Sequence, residues 1–248
     1  MENDKLFCQG KIKQLHDLIE KSKNIVALTG AGISVESGIP DFASSKGLIE
    51  GKKVYPTQLV LSHNFFYEHP DLFYKFYNQY LVNPNAQPNA AHTYLAELEK
   101  TGKLKGVITQ NIDDLHQKAG SKNVITLHGS TNYYTCYHCN NHYTMSELSF
   151  NGILKCPNCN HLLKPDVVLY GENLNNDDLK NAINLLINAD LLLVIGTALQ
   201  VYPAAGLIDY FNKNLVEINL KPTTIDNSLT LGVYEKAGTV FKLLKELD

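Results

Sequence analysis

The chain has 248 residues, of which 44% are hydrophobic and 19% are charged, so it is long enough for one large α/β domain with a small insert. Its formal net charge of -3 gives no electrostatic reason to expect a nucleic-acid partner. The charged first five residues are unlike a secretory signal, and the longest apolar run, Leu191 to Ile195, is too short to span a bilayer. We therefore expect a cytoplasmic protein without a membrane partner.

Short apolar runs alternate with helical patterns along most of the chain. A first amphipathic helix is predicted at 11–21 and a buried strand at 25–29. The other predicted strands are 106–109, 124–127, 191–195 and, with a weaker pattern, 215–218. The other predicted helices are 89–100, 177–188, 203–212 and 237–246. This alternation predicts an α/β fold with a doubly wound, parallel, Rossmann-like sheet.

Two stretches interrupt the alternation. Residues 43–88 are rich in phenylalanine and tyrosine and predict packed helices, whereas residues 130–170 contain paired cysteines and little apolar periodicity. We interpret both as inserts that form a smaller lobe, with a helical module at 43–88 and a zinc-binding module at 130–170. The predicted Rossmann-like domain then consists of residues 1–42, 89–129 and 171–248.

Glycine or polar residues directly follow four of the predicted strands, at Gly30, Gln110, His128 and Gly196. Ligands of open parallel sheets bind beyond the carboxyl ends of the strands. Because all four positions fall at the same edge of the predicted sheet, we expect a ligand site there.

The first of these positions opens the segment Thr29-Gly-Ala-Gly-Ile-Ser34, which continues into Ser37-Gly-Ile-Pro-Asp-Phe42. A glycine turn after a strand suits backbone N–H groups that face a diphosphate. The strict G-x-G-x-x-G pattern fails because Val35 holds its sixth position, and no acidic residue ends a second strand. By itself, this loop leaves a purely structural turn as an equal alternative.

Two Cys-x-x-Cys pairs predict a metal site. Cys136 and Cys139 are separated by sixteen residues from Cys156 and Cys159. Four thiolates at this spacing match a closed, tetrahedral, structural zinc site. Two disulfides are the alternative, which a cytosolic location disfavours. Cys8 is left over.

The segment Thr109-Gln-Asn-Ile-Asp-Asp-Leu-His116 places amides and carboxylates after a strand. Asp113 or Asp114 could simply cap the helix expected near Asp114, but capping does not explain Gln110 and Asn111 as well. His128, followed by Gly129, is in isolation more often structural than catalytic. The remaining histidines of interest are interpreted as structural or surface residues: His16, His63, His69, His92 and His116.

Taken together and in this order, the motifs make the chain similar to the sirtuins, which are NAD-dependent protein deacylases. The segments Lys164-Pro-Asp-Val-Val-Leu-Tyr-Gly-Glu172 and Gly196-Thr-Ala-Leu-Gln-Val-Tyr-Pro-Ala-Ala205, together with Asn219, also have counterparts in that family. The resemblance extends from Ile25 to about Phe241. It implies one structural Zn²⁺ on the four cysteines and NAD as a co-substrate.

The resemblance also implies roles for individual residues. Asn111, Asp113 and His128 are the implied catalytic residues, with Asp113 bonding the nicotinamide carboxamide. The residues implied to line the cofactor site are Gly30, Ala31, Gly32, Val35, Asp41, Phe42, Ala43, Gln110, Asn111, Ile112, Asp113, Gly196, Thr197, Ala198, Asn219 and Leu220. The segment implied to pair with an acyl-lysine peptide as an added β-strand is Val167, Val168, Leu169, Tyr170, Gly171 and Glu172.

In the implied reaction, the acyl oxygen of a modified lysine attacks the ribose carbon as nicotinamide leaves. His128 then acts as general base on a ribose hydroxyl, a task that suits a near-neutral pKa. The implied products are deacylated lysine, nicotinamide and an acyl-ADP-ribose. The partners are therefore expected to be acyl-lysine proteins or peptides.

The chain departs from the family pattern at Ala43, where sirtuins nearly always have arginine, and at Val35 and Ala198, where hydroxyl residues are common. All 22 basic residues are lysines. Because sirtuins that prefer succinyl or malonyl groups use an arginine to hold the acyl carboxylate, neutral acyl groups are expected. Two alternatives remain: ADP-ribosyl transfer or NAD hydrolysis, and a catalytically weak NAD-sensing module.

Overall fold

The computed structural model describes residues 2–41 and 47–248, with side chains from residue 9 onward. The strands are β1 (Ile25–Thr29), β2 (Leu48–Glu50), β3 (Lys53–Tyr55), β4 (Leu104–Thr109), β5 (Val124–Thr126), β6 (Gly129–Thr135), β7 (His142–Thr144), β8 (Lys164–Val167), β9 (Leu191–Ile195), β10 (Asn214–Asn219) and β11 (Leu231–Tyr234). The α-helices are α1 (Glu2–Lys21), α2 (Thr57–Val60), α3 (His63–Glu68), α4 (Pro70–Tyr80), α5 (Ala90–Lys100), α6 (Leu115–Ala119), α7 (Asn176–Asn188) and α8 (Ala237–Lys245).

The main sheet is parallel and has six strands in the order β11-β10-β9-β1-β4-β5. The chain leaves β1 toward β4 and β5 on one side, and later returns to fill the other side with β9, β10 and β11. The crevice beyond β1 is thus the point where the strand order reverses, and open α/β sheets bind ligands at this point. The predicted α/β fold class is confirmed.

Apolar side chains bury both faces of this sheet. Helices α1, α5 and α8 pack on one face in a cluster that includes Leu15, Leu95 and Phe241. Helix α7 and the 3₁₀ segment Ala204–Tyr210 cover the other face. Strands β1 and β9 are buried at every position, which explains their continuous apolar sequences.

The smaller sheet is antiparallel, with the order β7-β6-β8. It shares one apolar cluster with helices α3 and α4, whose aromatic residues pack against β6 and the segment before β8. Tyr74 donates a hydrogen bond of 2.6 Å to the carbonyl of Leu163, and the hydroxyls of Tyr77 and Tyr134 lie 3.4 Å apart. The helical and cysteine-containing inserts therefore fold around a common core.

Two predicted elements need correction. Residues 48–55, expected within a helical stretch, form the hairpin β2–β3, because Gly51 takes a positive φ of 58° in the turn that joins them. The helix predicted at 203–212 is a 3₁₀ segment, Ala204–Tyr210. Within the residues that the structure describes, no helix is long and apolar enough to cross a membrane.

Candidate active site

Three glycines bring the loops after β1 and β9 into backbone contact. A Cβ atom on Gly30 would lie 2.7 Å from that of Thr197, and one on Gly32 would lie 2.7 Å from the Cα of Gly196. Gly196 has a positive φ of 63°, and a Cβ there would collide with the amide of Ile33. These positions therefore require glycine, and the loops meet at the reversal point of the sheet.

The same contact corrects one expectation about the glycine turn. The N–H of Gly30 donates to the carbonyl of Ile195 at 3.0 Å, and that of Gly32 donates to the carbonyl of Gly196 at 2.8 Å. These two amides join the loop to the sheet. They do not face a diphosphate, in contrast to what the sequence suggested. Beyond them the chain forms a 3₁₀ helix, Ala31–Ser37.

Side chains from two strand ends converge on Thr197, which itself follows a third strand, β9. The amide of Gln110, after β4, donates to the Thr197 hydroxyl at 3.2 Å. The amide of Asn219, at the end of β10, donates to the Thr197 carbonyl at 3.0 Å. Thr197 itself is buried. The structure therefore brings together three residues that were predicted to line one site from positions far apart in the sequence.

Asn111 and Asp113 are joined through Ser34. The Asn111 amide donates to the Ser34 hydroxyl and to the carbonyl of Gly30, both at 3.1 Å, and the Ser34 hydroxyl donates to Asp113 at 2.6 Å. Burial raises the pKa of Asp113 above its ordinary value, against hydrogen bonds from Ser34 and the Leu115 amide that stabilise its charged form. The bond from Leu115 also accounts for the helix-capping interpretation of Asp113. Asp113 thus serves both the helix and the polar cluster.

His128 is half-buried and lies between the large sheet and the small one. Its Nδ1 is 2.9 Å from the carbonyl of Gln110. A carbonyl can only accept, so Nδ1 carries the proton and Nε2 keeps its lone pair. Burial lowers the pKa of His128, although the bond to Gln110 partly opposes that shift. The ring is therefore neutral at pH 7, with a proton-accepting nitrogen available.

The segment after β8 is attached to His128. The N–H of Val168 donates to the carbonyl of His128 at 2.9 Å. Farther along, the N–H of Tyr170 donates to the carbonyl of Leu61, and the N–H of His63 donates to the carbonyl of Tyr170, both at 2.9 Å. The predicted peptide-binding segment is therefore hydrogen-bonded to His128 at one point and to the helical insert at another.

Glu172 organises this segment from within. Its carboxylate accepts from the N–H of Leu169 at 3.0 Å, lies 3.0 Å from the buried Lys164 ammonium and lies 2.9 Å from Nδ1 of His63. Burial acts to raise the pKa of Glu172, but these three partners outweigh it and lower the pKa. Glu172 was predicted to contact the substrate, whereas its carboxylate makes internal bonds that shape the segment.

The four predicted metal ligands form one cluster. Sγ of Cys136 lies 3.5 Å from that of Cys159, and Sγ of Cys139 lies 3.6 Å from that of Cys156. Four sulfurs on a tetrahedral zinc ion lie about 3.8 Å apart, since each Zn–S bond is about 2.3 Å long. A disulfide needs about 2.0 Å, so all four cysteines are free and the disulfide alternative is wrong. The cluster fits one zinc ion.

Six of the remaining predicted cofactor residues fall within the part of the chain that the structure describes. Val35, Asp41, Ala198 and Leu220 are exposed, whereas Ala31 and Ile112 are half-buried. The predictions for Phe42 and Ala43 fall outside the residues that the structure describes. The roles of all these residues stay predictions.

Ser34 and Lys164 are not among the site residues predicted from the sequence, although both lie within the motifs that indicate the family. Ser34 is fully buried and Lys164 is 5% exposed. A polar residue inside an otherwise apolar or turn-forming motif was the available signal. Its partner, however, becomes known only once the chain is folded.

Comparison with known proteins agrees with this architecture. The model of the Sir2 family matches residues 30–203. An NAD-dependent protein deacetylase of Clostridium perfringens is 48% identical over 236 residues, which cover 93% of this chain and 96% of the relative. An NAD-dependent protein deacetylase of Thermotoga maritima is 44% identical over 229 residues, which cover 89% of this chain and 92% of the relative.

A solved structure of a Sir2 protein with a p53 peptide and NAD⁺ superposes with a TM-score of 0.82. It is 40% identical and covers 96% of this chain and 98% of the solved one. The chain therefore belongs to the Sir2 family, and the resemblance to sirtuins is confirmed.

Proposed function

We propose that the protein is an NAD-dependent protein lysine deacylase that removes acetyl or longer neutral acyl groups. The observation that carries the proposal is the position of His128. Its Nδ1 donates a hydrogen bond to the carbonyl of Gln110, which follows β4. Its own carbonyl accepts a hydrogen bond from the N–H of Val168, which follows β8. A neutral base whose Nε2 keeps its lone pair thus lies between the cofactor crevice and the peptide-binding segment.

The crevice at the reversal point supports NAD as the co-substrate. Gly30, Gly32 and Gly196 let the loops after β1 and β9 meet at the reversal point of the sheet, which is where open parallel sheets bind their ligands. The Asn111–Ser34–Asp113 cluster offers amide and carboxylate groups suited to a carboxamide. When bound, NAD supplies a ribose carbon that accepts the acyl oxygen while nicotinamide leaves. The solved Sir2 relative was bound to NAD⁺ and a peptide.

The side chains of the site would then have separate roles in binding and catalysis. Asp113 and Asn111 orient the carboxamide, and Gln110, Thr197 and Asn219 hold the loops that surround the nucleotide. Nε2 of His128 takes a proton from a ribose hydroxyl, which its neutral state at pH 7 permits. One water is consumed when the lysine amine is released, so the products are nicotinamide, the free lysine and an O-acyl-ADP-ribose.

The segment 167–172 supports a peptide substrate. It continues β8, an edge strand of the small sheet, and adding a strand to an edge gives main-chain hydrogen bonds without sequence specificity. One solved Sir2 relative binds a propionylated peptide and another binds an acetylated peptide. An acyl-lysine laid along this edge would reach His128.

Nicotinamide release from NAD is expected to depend on an acetyl-lysine peptide. The measurement compares release with acetylated, unmodified and no peptide, and follows deacetylated product in parallel. Equal release without peptide would favour NAD hydrolysis or ADP-ribosyl transfer. Bound NAD without any turnover would favour an NAD-sensing module.

Acyl selectivity is expected to favour neutral groups. A succinyl carboxylate in the acyl pocket would lack an arginine partner, because the chain has none, and hydrogen bonds to charged groups are worth about 1.5–3 kcal/mol. The value of kcat/KM should therefore be about 10- to 100-fold higher for a butyryl-lysine peptide than for the succinyl peptide of the same chain length. Faster turnover of the succinyl peptide would overturn this expectation.

A further inference from the structure

Four polar side chains lie buried directly beneath Asn111, and we call them the histidine bridge: Thr29, His92, Thr109 and His116. Each is at most 2% exposed. From the sequence alone, both histidines are interpreted as structural or surface residues. Their hydrogen bonds, however, connect the loop Ala31–Ser37 to Asn111, a residue of the proposed site.

The proton positions on the threonines follow from their bonds. The Thr29 hydroxyl donates to the Thr109 hydroxyl at 2.8 Å, and the Thr109 oxygen also accepts from the N–H of Asn111 at 3.1 Å. Because Thr29 has already used its only proton, Nε2 of His116, which lies 3.0 Å away, must donate to it. Burial holds the pKa of His116 well below its ordinary value, so the ring is neutral. Its Nδ1 is then an acceptor.

The tautomer of His92 follows in the same way. Its Nδ1 accepts from the N–H of Asn89 at 3.3 Å. Burial lowers the pKa of His92 to about 4, so this ring is also neutral and its proton is on Nε2. Nε2 of His92 and Nδ1 of His116 are both buried and have no hydrogen-bond partner among the residues that the structure describes. One is a donor without an acceptor, and the other is an acceptor without a donor.

The ring centres of His92 and His116 are 4.9 Å apart. A direct, linear N–H···N bond of about 2.9 Å places two imidazole centres about 5 Å apart, so the observed spacing of the rings fits such a bond. Leaving complementary buried groups unpaired would be unfavourable. We propose that His92 donates to His116 and that the completed histidine bridge positions Asn111 against the loop Ala31–Ser37.

At its His92 end, the histidine bridge is connected through Asn89 to the loop Ala31–Ser37. Asn89, which binds His92, also donates its side-chain amide to the carbonyl of Ile33 at 2.7 Å and to the hydroxyl of Ser37 at 2.9 Å. Asn111 in turn donates to Gly30 at the start of the loop. The bridge thus closes a ring of bonds around the loop. His92 and His116 are positioning residues, and this role rests on the proposed function.

A spectroscopic test needs no activity. In wild-type protein with ¹⁵N-labelled histidine, we expect both rings to remain neutral Nε2–H tautomers between pH 5 and 8 (a window of about one and a half units either side of the ordinary pKa of about 6.5). A through-hydrogen-bond coupling should join Nε2 of His92 to Nδ1 of His116. An Nδ1–H tautomer on either ring, or no coupling, overturns the bridge.

A kinetic test uses Thr29→Val, which keeps the shape of Thr29 but removes its hydroxyl, together with His116→Phe and the double variant. Each single change should lower kcat for nicotinamide release about tenfold or more, because a displacement of about 1 Å at a reacting centre can cost about 100-fold. The KM of the peptide should stay unchanged. His116→Gln, whose amide can donate near the Nε2 position, should recover part of the loss.

The double variant is expected to be no slower than the slower single variant, because both changes break one chain. If the two losses in kcat multiplied, the two changes would act as independent packing defects, and the proposed link between Thr29 and His116 would be wrong. Ser121→Ala, which removes a buried hydroxyl outside the bridge, is the control and should keep wild-type rates. If wild-type protein turned over no acyl peptide, the proposed function would fail. The through-hydrogen-bond coupling between His92 and His116, and the NAD affinities of these variants, would still test whether the histidine bridge exists.

Discussion

Replacement of His128 by alanine is expected to lower peptide-dependent deacylation by about 100- to 10,000-fold, the usual contribution of a positioned general base. In the proposed reaction, His128 acts on a ribose hydroxyl after nicotinamide has left. Exchange of labelled nicotinamide into NAD should therefore fall much less than product formation. The measurement compares the two rates for wild type and His128→Ala, with His69→Ala as the control because that histidine is exposed and remote in the sequence. An equal loss in both rates would place His128 before the departure of nicotinamide.

The pH dependence provides a second reading of the same variant. Burial lowers the pKa of His128, so the neutral base persists to lower pH than an ordinary histidine, whose pKa is about 6.5. The value of kcat/KM should rise with pH through a midpoint below that value and then stay level. His128→Ala should lose this acid limb. A midpoint above 6.5 would mean that another group limits the rate.

The α/β class could be predicted from the sequence because strands buried on both faces have continuous apolar runs. The run Ile25–Thr29 and the run Leu191–Ile195 coincide with β1 and β9. The hairpin at 48–55 was missed because it lies beside an aromatic-rich helical stretch, and the Gly51 turn is a weak local signal. Helical periodicity also failed to separate an α-helix from the 3₁₀ segment Ala204–Tyr210.

The candidate site could be predicted as a location but not as a set of bonds. Strand ends in a parallel sheet share an edge, so Gly30, Gln110 and Gly196 were expected to lie together. Thr197 and Asn219, which hydrogen bonds of the Gln110 and Asn219 side chains join to this edge, were predicted only through the resemblance to sirtuins. Which groups pair is a tertiary property: Ser34 and Asp113 are 79 residues apart. No local pattern indicates that the carboxylate of Glu172 binds Lys164 and His63.

Loss of a zinc ligand is expected to have the second largest effect, because the metal clamps the small sheet whose other end holds the proposed base. Strand β6 begins directly after His128 and leads to Cys136. Strand β8 follows Cys159 in the chain, pairs with β6 and leads to Val168, which bonds to His128. A change at the cysteines should therefore reach the active site through two strands.

The replacement Cys136→Ser should reduce bound zinc from one ion per chain to none. Structural zinc contributes about 10–16 kcal/mol in peptides that fold only around the metal. Here the aromatic core shared with α3 and α4 remains, so we expect a smaller loss of about 4 kcal/mol and a fall in Tm of about 8–16 °C. Peptide-dependent turnover should fall with it.

Zinc content, Tm and turnover are measured together for wild type, Cys136→Ser and Cys8→Ser. The last is a matched control, because Cys8 is remote in sequence from both Cys-x-x-Cys pairs. A chelator should reproduce the Cys136→Ser values in wild type, and added zinc should reverse them. Retained zinc or an unchanged Tm in Cys136→Ser would contradict a structural role. A lower Tm with full turnover would instead show that the small sheet does not transmit the change to His128.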